Sequence, residues 1–211
     1  MLDKIKVIAQ NAIRIENQNG KVIYFDPYKL YGVEADADYI FITHSHYDHF
    51  SEEDILKIKK DDTKIIVTSD LEEKSLGLGF DKNQILIVLP NEEYQIDEIV
   101  FSTIPAYNVD KQFHKKEYNW VGYIVNIDDN LVYVAGDTDN TSEAQNVKCD
   151  IALIPIGGTY TMDYKQAVSL IESINPKLAI PTHYKTLVGS DEDAEEFKRL
   201  LEGKVNVEIL L

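Results

Sequence analysis

Short runs of β-branched and aromatic residues recur along the whole chain, and this pattern constrains its fold more than any other feature. In the first half they cover residues 4–9, 12–15, 22–25, 39–43, 64–68 and 84–89. In the second half they cover residues 98–104, 120–127, 131–135, 150–156, 178–180 and 205–211. Such runs, separated by turn residues such as Asn19-Gly20, are typical of β-strands. Their number predicts two sheets rather than one.

Helical patterns interrupt the strands in a few places. A helix is predicted to begin at about Ser51, whose hydroxyl can cap it ahead of three acidic residues. Residues 162–174 and 191–201 carry apolar side chains at helical spacing and predict two amphipathic helices. No linker rich in glycine, serine or proline divides the chain. One α/β domain over residues 1–211 is therefore expected.

The charge of the chain restricts its partners. It has 21 Lys and Arg against 37 Asp and Glu, a formal net charge of −16, which repels phosphate polymers and anionic membranes. Its apolar runs are far shorter than the roughly 20 residues of a spanning helix. A single cysteine excludes an internal disulfide and favours a reducing cytoplasm. We expect a small-molecule substrate, no long nucleic acid and no membrane, with a homo-oligomer left open.

Three histidines and an aspartate fall within six residues after the apolar run 39–42, at His44, His46, Asp48 and His49. In extended backbone, side chains two residues apart point the same way, so His44 and His46 can reach one metal ion. Asp48 and His49, past a turn, can address a second position. Imidazole nitrogen and carboxylate oxygen suit zinc, iron and manganese. A surface or core role explains a lone histidine better than it explains this cluster.

Three more candidate ligands lie in the second half. Asp137 follows Gly136 at the end of a predicted strand, where a turn or helix-cap aspartate is the alternative. His183 follows the predicted strand 178–180, with a hydrogen-bonded structural histidine as its alternative. His114 lies in the polar loop 106–119, where a solvated loop histidine is the alternative.

The pattern His44-x-His46-x-Asp48-His49 resembles the signature of the metallo-β-lactamase-fold hydrolases. Segments 134–138, 154–162 and 180–184 agree in order with that superfamily, and more closely with its branch that includes the ascorbate-phosphate lactonases. The resemblance implies a four-layer αββα sandwich, in which two mixed β-sheets are flanked by helices and the ligands gather at one edge. It also implies that Asp137 bridges two metals and that His183 completes the second site with Asp48 and His49.

One position departs from this pattern. The family takes a third histidine for the first metal from a Pro-Ala-x-His sequence, whereas this chain has Asn108 at that place. His114 can replace it from the same loop, Asn108 can offer its amide oxygen, or only the second site holds metal. We favour His114 or a weakened first site.

The resemblance implies a metal-dependent hydrolase with one or two divalent ions, zinc first and manganese or iron as alternatives. A bound divalent ion lowers the pKa of water from about 15.7 to about 7, so hydroxide is available at neutral pH. The expected substrate is a small, anionic ester or lactone. Asp48 and His183 are the predicted catalytic residues, and Asp48 would orient the hydroxide or accept its proton.

Other functions stay open at this point. They are a phosphodiesterase or nuclease on the same fold, a non-catalytic metal- or metabolite-binding protein, and a di-iron redox enzyme. His46 disfavours the last, because the di-iron relatives have Glu there. Tyr160 and Tyr184 are possible proton donors, although packing is the more common role of a tyrosine. The Gly157-Gly158 pair either binds an anion ahead of a helix or only permits a tight turn.

Overall fold

The computed structural model describes residues 2–211, and the chain divides after Leu89 into two compact units. Each unit contains one mixed β-sheet, six-stranded in the first unit and seven-stranded in the second. The prediction of two mixed sheets with flanking helices is confirmed. That all 211 residues act as one domain stays a prediction.

The first sheet joins an antiparallel half to a parallel half. Its strands pair in chain order, antiparallel from β1 to β3 and parallel from β3 to β6. Parallel neighbours need a crossover, and two helices supply the last two of them. The elements are β1 (Ile5–Ala9), β2 (Ala12–Glu16), β3 (Val22–Phe25), β4 (Ala37–Phe41), α1 (Glu52–Ile58), β5 (Lys59–Thr68), α2 (Glu72–Gly77) and β6 (Ile85–Val88).

Helix α1 begins where the sequence predicts. The Ser51 hydroxyl accepts the backbone N–H of Asp54, and Ile55 and Ile58 face the buried core of the first unit. Asp54 is also buried and accepts the backbone N–H groups of Lys29 and Leu30. The start of α1 thereby fixes the loop that follows β3.

The second sheet has the same mixed character. It runs in the order β13, β12, β11, β10, β9, β8, β7, parallel from β13 to β10 and antiparallel from there on. α-Helices form two of its three parallel crossovers, the ones that follow β11 and β12. The elements are β7 (Glu93–Ile96), β8 (Ile99–Pro105), β9 (Val121–Ile127), β10 (Asn130–Val134), β11 (Ile151–Pro155), α3 (Tyr164–Ile174), β12 (Leu178–Thr182), α4 (Asp191–Leu201) and β13 (Asn206–Val207).

Helices α3 and α4 confirm the two amphipathic predictions. Reciprocal capping boxes fix their starts, Asp163 with Gln166 in α3 and Ser190 with Asp193 in α4. Their apolar faces join one buried cluster of the second unit, to which Leu170 and Phe197 contribute. Among residues 2–211, the helices are all too short or too polar to cross a lipid bilayer.

Some boundaries differ from the predictions. Local patterns do not predict helix α2 or edge strand β7, because α2 has only six residues and two of the four residues of β7 are polar, Glu93 and Gln95. Strand β12 continues through Pro181, whereas its pairing with β13 stops at Ala179, so Pro181 needs no N–H on that side. The run 205–211 forms a strand only at Asn206–Val207.

The backbone of the second unit packs so closely against Gly122 in β9 that it leaves no room for a side chain. A Cβ there would lie 2.6 Å from the carbonyl oxygen of Ala135 and 2.9 Å from that of Val134. Because overpacking typically costs 1–3 kcal/mol, we expect Gly122→Ala to lower the free energy of unfolding by about 2 kcal/mol in urea denaturation. Gly77→Ala in α2 is the control, since no atom lies within 4 Å of a Cβ there. Equal unfolding midpoints for the two variants would contradict this account.

Candidate metal-binding clusters

The four ligands predicted from the first motif, here called the first cluster, lie in the loop after β4. They are His44, His46, Asp48 and His49. Strand β4 ends at Phe41, before the predicted strand end at residue 43, and the predicted turn follows His46, whose carbonyl accepts the N–H groups of His49 and Phe50. The turn still brings the side chains together. The Nε2 of His44 lies 3.0 Å from the Nδ1 of His46, and the Nε2 of His49 lies 3.7 Å from an Asp48 carboxylate oxygen.

A buried carboxylate organises this loop from the end of the neighbouring strand. Asp26 directly follows β3, is fully buried and has a left-handed backbone with a φ of +45°. It accepts the Thr43 backbone N–H at 2.8 Å, the Thr43 hydroxyl at 2.7 Å and the Asn11 side-chain amide at 2.6 Å. Its Oδ2 also lies 2.7 Å from the Nδ1 of His49. These bonds draw Thr43 away from the strand ladder and start the turn.

Asp26 also determines which ring nitrogen carries the proton in His49 and in His44. An ionised carboxylate only accepts hydrogen bonds, so the Nδ1 of His49 is the donor and its Nε2 can bind a metal. The Thr43 hydroxyl, which donates to Asp26, accepts in turn from the Nδ1 of His44 at 3.0 Å. The ligand motif does not point to Asp26, which precedes it in the sequence. A signal was present, because an aspartate follows the four buried residues of β3.

The other three predicted ligands, His114, Asp137 and His183, form a second cluster in the second unit. The Oδ2 of Asp137 lies 3.2 Å from the Nε2 of His114 and 3.2 Å from the Nε2 of His183. All three side chains are buried. The alternative of a solvated loop histidine is therefore wrong for His114.

Backbone geometry delivers the second cluster to one edge of its sheet. Asp137 follows β10 after Gly136, whose φ of +64° permits the turn predicted there. His183 follows the parallel strand β12 and itself has a φ of +54°, a strained conformation for a non-glycine residue. A Cβ on Gly157 would overlap the carbonyl oxygen of His183, so only glycine fits beside this turn.

Asn108 and His114 contact each other across their loop. The backbone N–H of Asn108 donates to the carbonyl of His114 at 2.7 Å, and the Asn108 Oδ1 accepts the backbone N–H of His114 at 3.0 Å. The same oxygen lies 3.1 Å from the Nδ1 of His114. The Asn108 amide nitrogen donates to the carbonyl of Tyr160 at 2.9 Å.

Two groups with weaker sequence signals have structural roles. The Gly157-Gly158 segment forms the tight turn, because the N–H of Gly158 donates to the carbonyl of Met162 and Asp163 caps α3. Tyr184 is fully buried in the apolar cluster of the second unit, and burial together with Asp191 and Glu195 raises its pKa to about 12. These surroundings support a packing role for Tyr184 rather than a role as proton donor.

The basic residues of loop 106–119 form ion pairs with nearby carboxylates. Lys111 contacts buried Asp139 at 2.8 Å, and Lys116 contacts Glu143 at 2.6 Å. The Lys116 ammonium lowers the pKa of Glu143 to about 2, and Tyr107 donates to the same carboxylate. These pairs hold the loop in place.

Both clusters suit a divalent transition metal. Each combines imidazole nitrogens with a carboxylate oxygen, the donor set of zinc, iron and manganese sites in proteins. Within the first cluster, the ligand atoms of His44 and His46, of His44 and His49, and of Asp48 and His49 lie within 4.8 Å. The residues present therefore fit a metal ion.

Comparison with known proteins identifies the family. The family model of the beta-lactamase superfamily domain matches residues 4–183, which include every candidate ligand. The chain belongs to the metallo-β-lactamase superfamily. Within it, the chain is 34% identical to a UPF0173 metal-dependent hydrolase of Nanoarchaeum equitans, over 95% of this chain and 93% of that protein. A UPF0173 metal-dependent hydrolase of Pyrococcus horikoshii is 30% identical over 98% and 96%. Within the superfamily, the chain is thus one of the UPF0173 metal-dependent hydrolases.

Solved structures agree with this assignment. A metallo hydrolase from Ignicoccus hospitalis superposes with a TM-score of 0.79 at 26% identity, over 97% of this chain and 93% of that one. A diiron β-hydroxylase from Streptomyces venezuelae superposes with a TM-score of 0.76 at 15% identity, over 98% of this chain and 52% of that one. The second likeness shows the fold alone. The closer likeness to ascorbate-phosphate lactonases stays a prediction.

Asp26→Asn tests the role of the buried carboxylate. An amide places N–H donors against groups that already donate, so buried hydrogen bonds are lost at about 1–3 kcal/mol each. We expect the free energy of unfolding of the metal-free hydrolase to fall by about 2–4 kcal/mol in urea denaturation. Asp61→Asn is the control, since Asp61 is exposed and the substitution removes the same charge. Equal stability of the two variants would show that Asp26 does not organise the loop.

Proposed function

We propose that both clusters bind a divalent metal with which the chain hydrolyses a small ester or lactone, with zinc as the native metal. One observation carries the proposal: seven buried or half-buried histidines and aspartates lie in loops that follow the carboxyl ends of strands in a UPF0173 hydrolase. In open α/β sheets, ligands bind at the carboxyl ends of the strands. The ligands would be His44, His46, Asp48 and His49 in the first cluster and His114, Asp137 and His183 in the second.

The side chains divide the work between binding and proton transfer. A divalent ion, when bound, lowers the pKa of water and polarises the substrate oxygen. Asp48 is the carboxylate beside the Nε2 of His49, and its oxygen can orient a water molecule and accept its proton. Asp26 keeps the Nδ1 of His49 protonated and the ring fixed while this happens.

Two features support a small substrate and no thiol nucleophile. The net charge of −16 opposes binding of long nucleic acid. Cys149 has no histidine near it in the sequence, and burial beside Asp150 raises its pKa to about 12, so it is protonated at neutral pH. We expect the hydrolase to act in a reducing cytoplasm.

Metal content and turnover test the proposal together. We expect purified protein to contain one or two zinc ions per chain by plasma mass spectrometry, and His46→Ala with His183→Ala to abolish that content. Asp48→Asn is expected to lower kcat/KM by about 10²–10⁴, the usual contribution of a proton-transfer group. A chelator should abolish turnover, and added zinc should restore it.

The substrate panel contains lactones, carboxylic esters and bis-p-nitrophenyl phosphate, and Asp61→Asn serves as the control variant. Turnover of the phosphodiester alone would replace the proposal with a phosphodiesterase. A metal-loaded protein without any turnover that binds a metabolite tightly would indicate a binding protein. Full metal content in the double histidine variant would refute the assigned ligands.

A further inference from the structure

Asn108 stands where the superfamily pattern has a metal-binding histidine, and its side chain faces a histidine six residues further on. The Oδ1 of Asn108 contacts both the backbone N–H and the ring Nδ1 of His114. A backbone hydrogen bond of 2.7 Å closes the loop from the other direction. The two residues therefore act as one buried unit.

The surroundings fix which way the Asn108 amide points. Its oxygen faces a backbone N–H, which can only donate, and its nitrogen faces the Tyr160 carbonyl, which can only accept. Turning the amide over would oppose donor to donor and acceptor to acceptor. The oxygen is thus the atom that faces His114.

The orientation of the Asn108 amide determines the tautomer of the His114 ring. Because the amide oxygen only accepts, the Nδ1 of His114 carries a proton and donates to it. The opposite nitrogen, Nε2, then points to Asp137, whose Oδ2 lies 3.2 Å away. A histidine that binds metal through one nitrogen usually donates the other N–H to a fixed acceptor.

We propose that Asn108 is a positioning residue that holds His114 as the metal ligand in place of the histidine missing at position 108. The inference rests on the proposed function, because it assigns His114 to the metal centre. It explains the departure from the family pattern as a replacement. The ligand moves to residue 114, and residue 108 becomes the acceptor that orients it.

Two variants separate this role from a structural one. Asn108→Ala removes the acceptor for His114 and the donor for Tyr160, whereas Asn108→Asp keeps an acceptor for His114 but replaces the donor for Tyr160 with a carboxylate oxygen. We expect Asn108→Ala to weaken zinc binding about 10–100-fold in a chelator competition, the usual effect of losing such a partner. Asn108→Asp should stay within about threefold of the wild type.

Asp139→Asn is the matched control for loosening of the loop. Asp139 accepts the backbone N–H of Val109 and pairs with Lys111 without contacting His114 through its carboxylate. The control should bind zinc as the wild type does. A loss in Asp139→Asn as large as that in Asn108→Ala, or equal losses in the Ala and Asp variants, would overturn the proposal.

Nitrogen NMR of the His114 ring in metal-free protein provides a second readout. We expect the Nδ1 to be protonated in the wild type and in Asn108→Asp, and the Nε2–H form to appear in Asn108→Ala. An unchanged Nδ1–H form in Asn108→Ala would refute the positioning role. A wild type that binds zinc and shows the expected NMR pattern, but hydrolyses no ester or lactone, would refute the proposed function alone.

Discussion

Parallel pairing is the constraint on which the placement of the candidate ligands depends. Adjacent parallel strands end at the same edge of their sheet, so residues that follow them are brought close although they are distant in sequence. In the first unit, β3 and β4 are such a pair, and Asp26 and His44 follow them. In the second, β10, β11 and β12 bring Asp137 and His183 together. The antiparallel strand β8 runs the same way as β10 and delivers Asn108 to that edge.

In each cluster, a buried hydrogen-bond acceptor contacts the Nδ1 of a histidine, the ring nitrogen opposite the Nε2. Asp26 has this position toward His49, and Asn108 has it toward His114. Burial of a polar group is unfavourable unless its hydrogen bonds are made, so these acceptors hold the rings in one orientation. The same bonds leave each Nε2 directed at a carboxylate, Asp48 in one case and Asp137 in the other.

The sequence predicts the elements of this fold better than the loops that carry its chemistry. Strands such as β11 and helices such as α3 follow from local patterns, because apolar periodicity and a capping residue suffice to define them. The ligand motif at His44 is equally visible, since its spacing is local. Its conformation is not, because the turn depends on Asp26, which is distant in sequence. Local patterns also fail to predict α2 and β7, but for a different reason, since both are short and their patterns are weak.

Asn108 shows why a motif comparison alone misjudges this site. Position by position, the change from histidine to asparagine removes a ligand and indicates a defective site. The loop geometry changes that conclusion, because the hydrogen bond from Asn108 to the carbonyl of His114 closes residues 108–114 into one turn. The first and last residues of a closed turn lie close together. The side chain of residue 114 can therefore reach the position that a ligand at residue 108 would otherwise occupy. A ligand can therefore move along the sequence while the donor set of the cluster is conserved, provided that the vacated position keeps an acceptor to orient it.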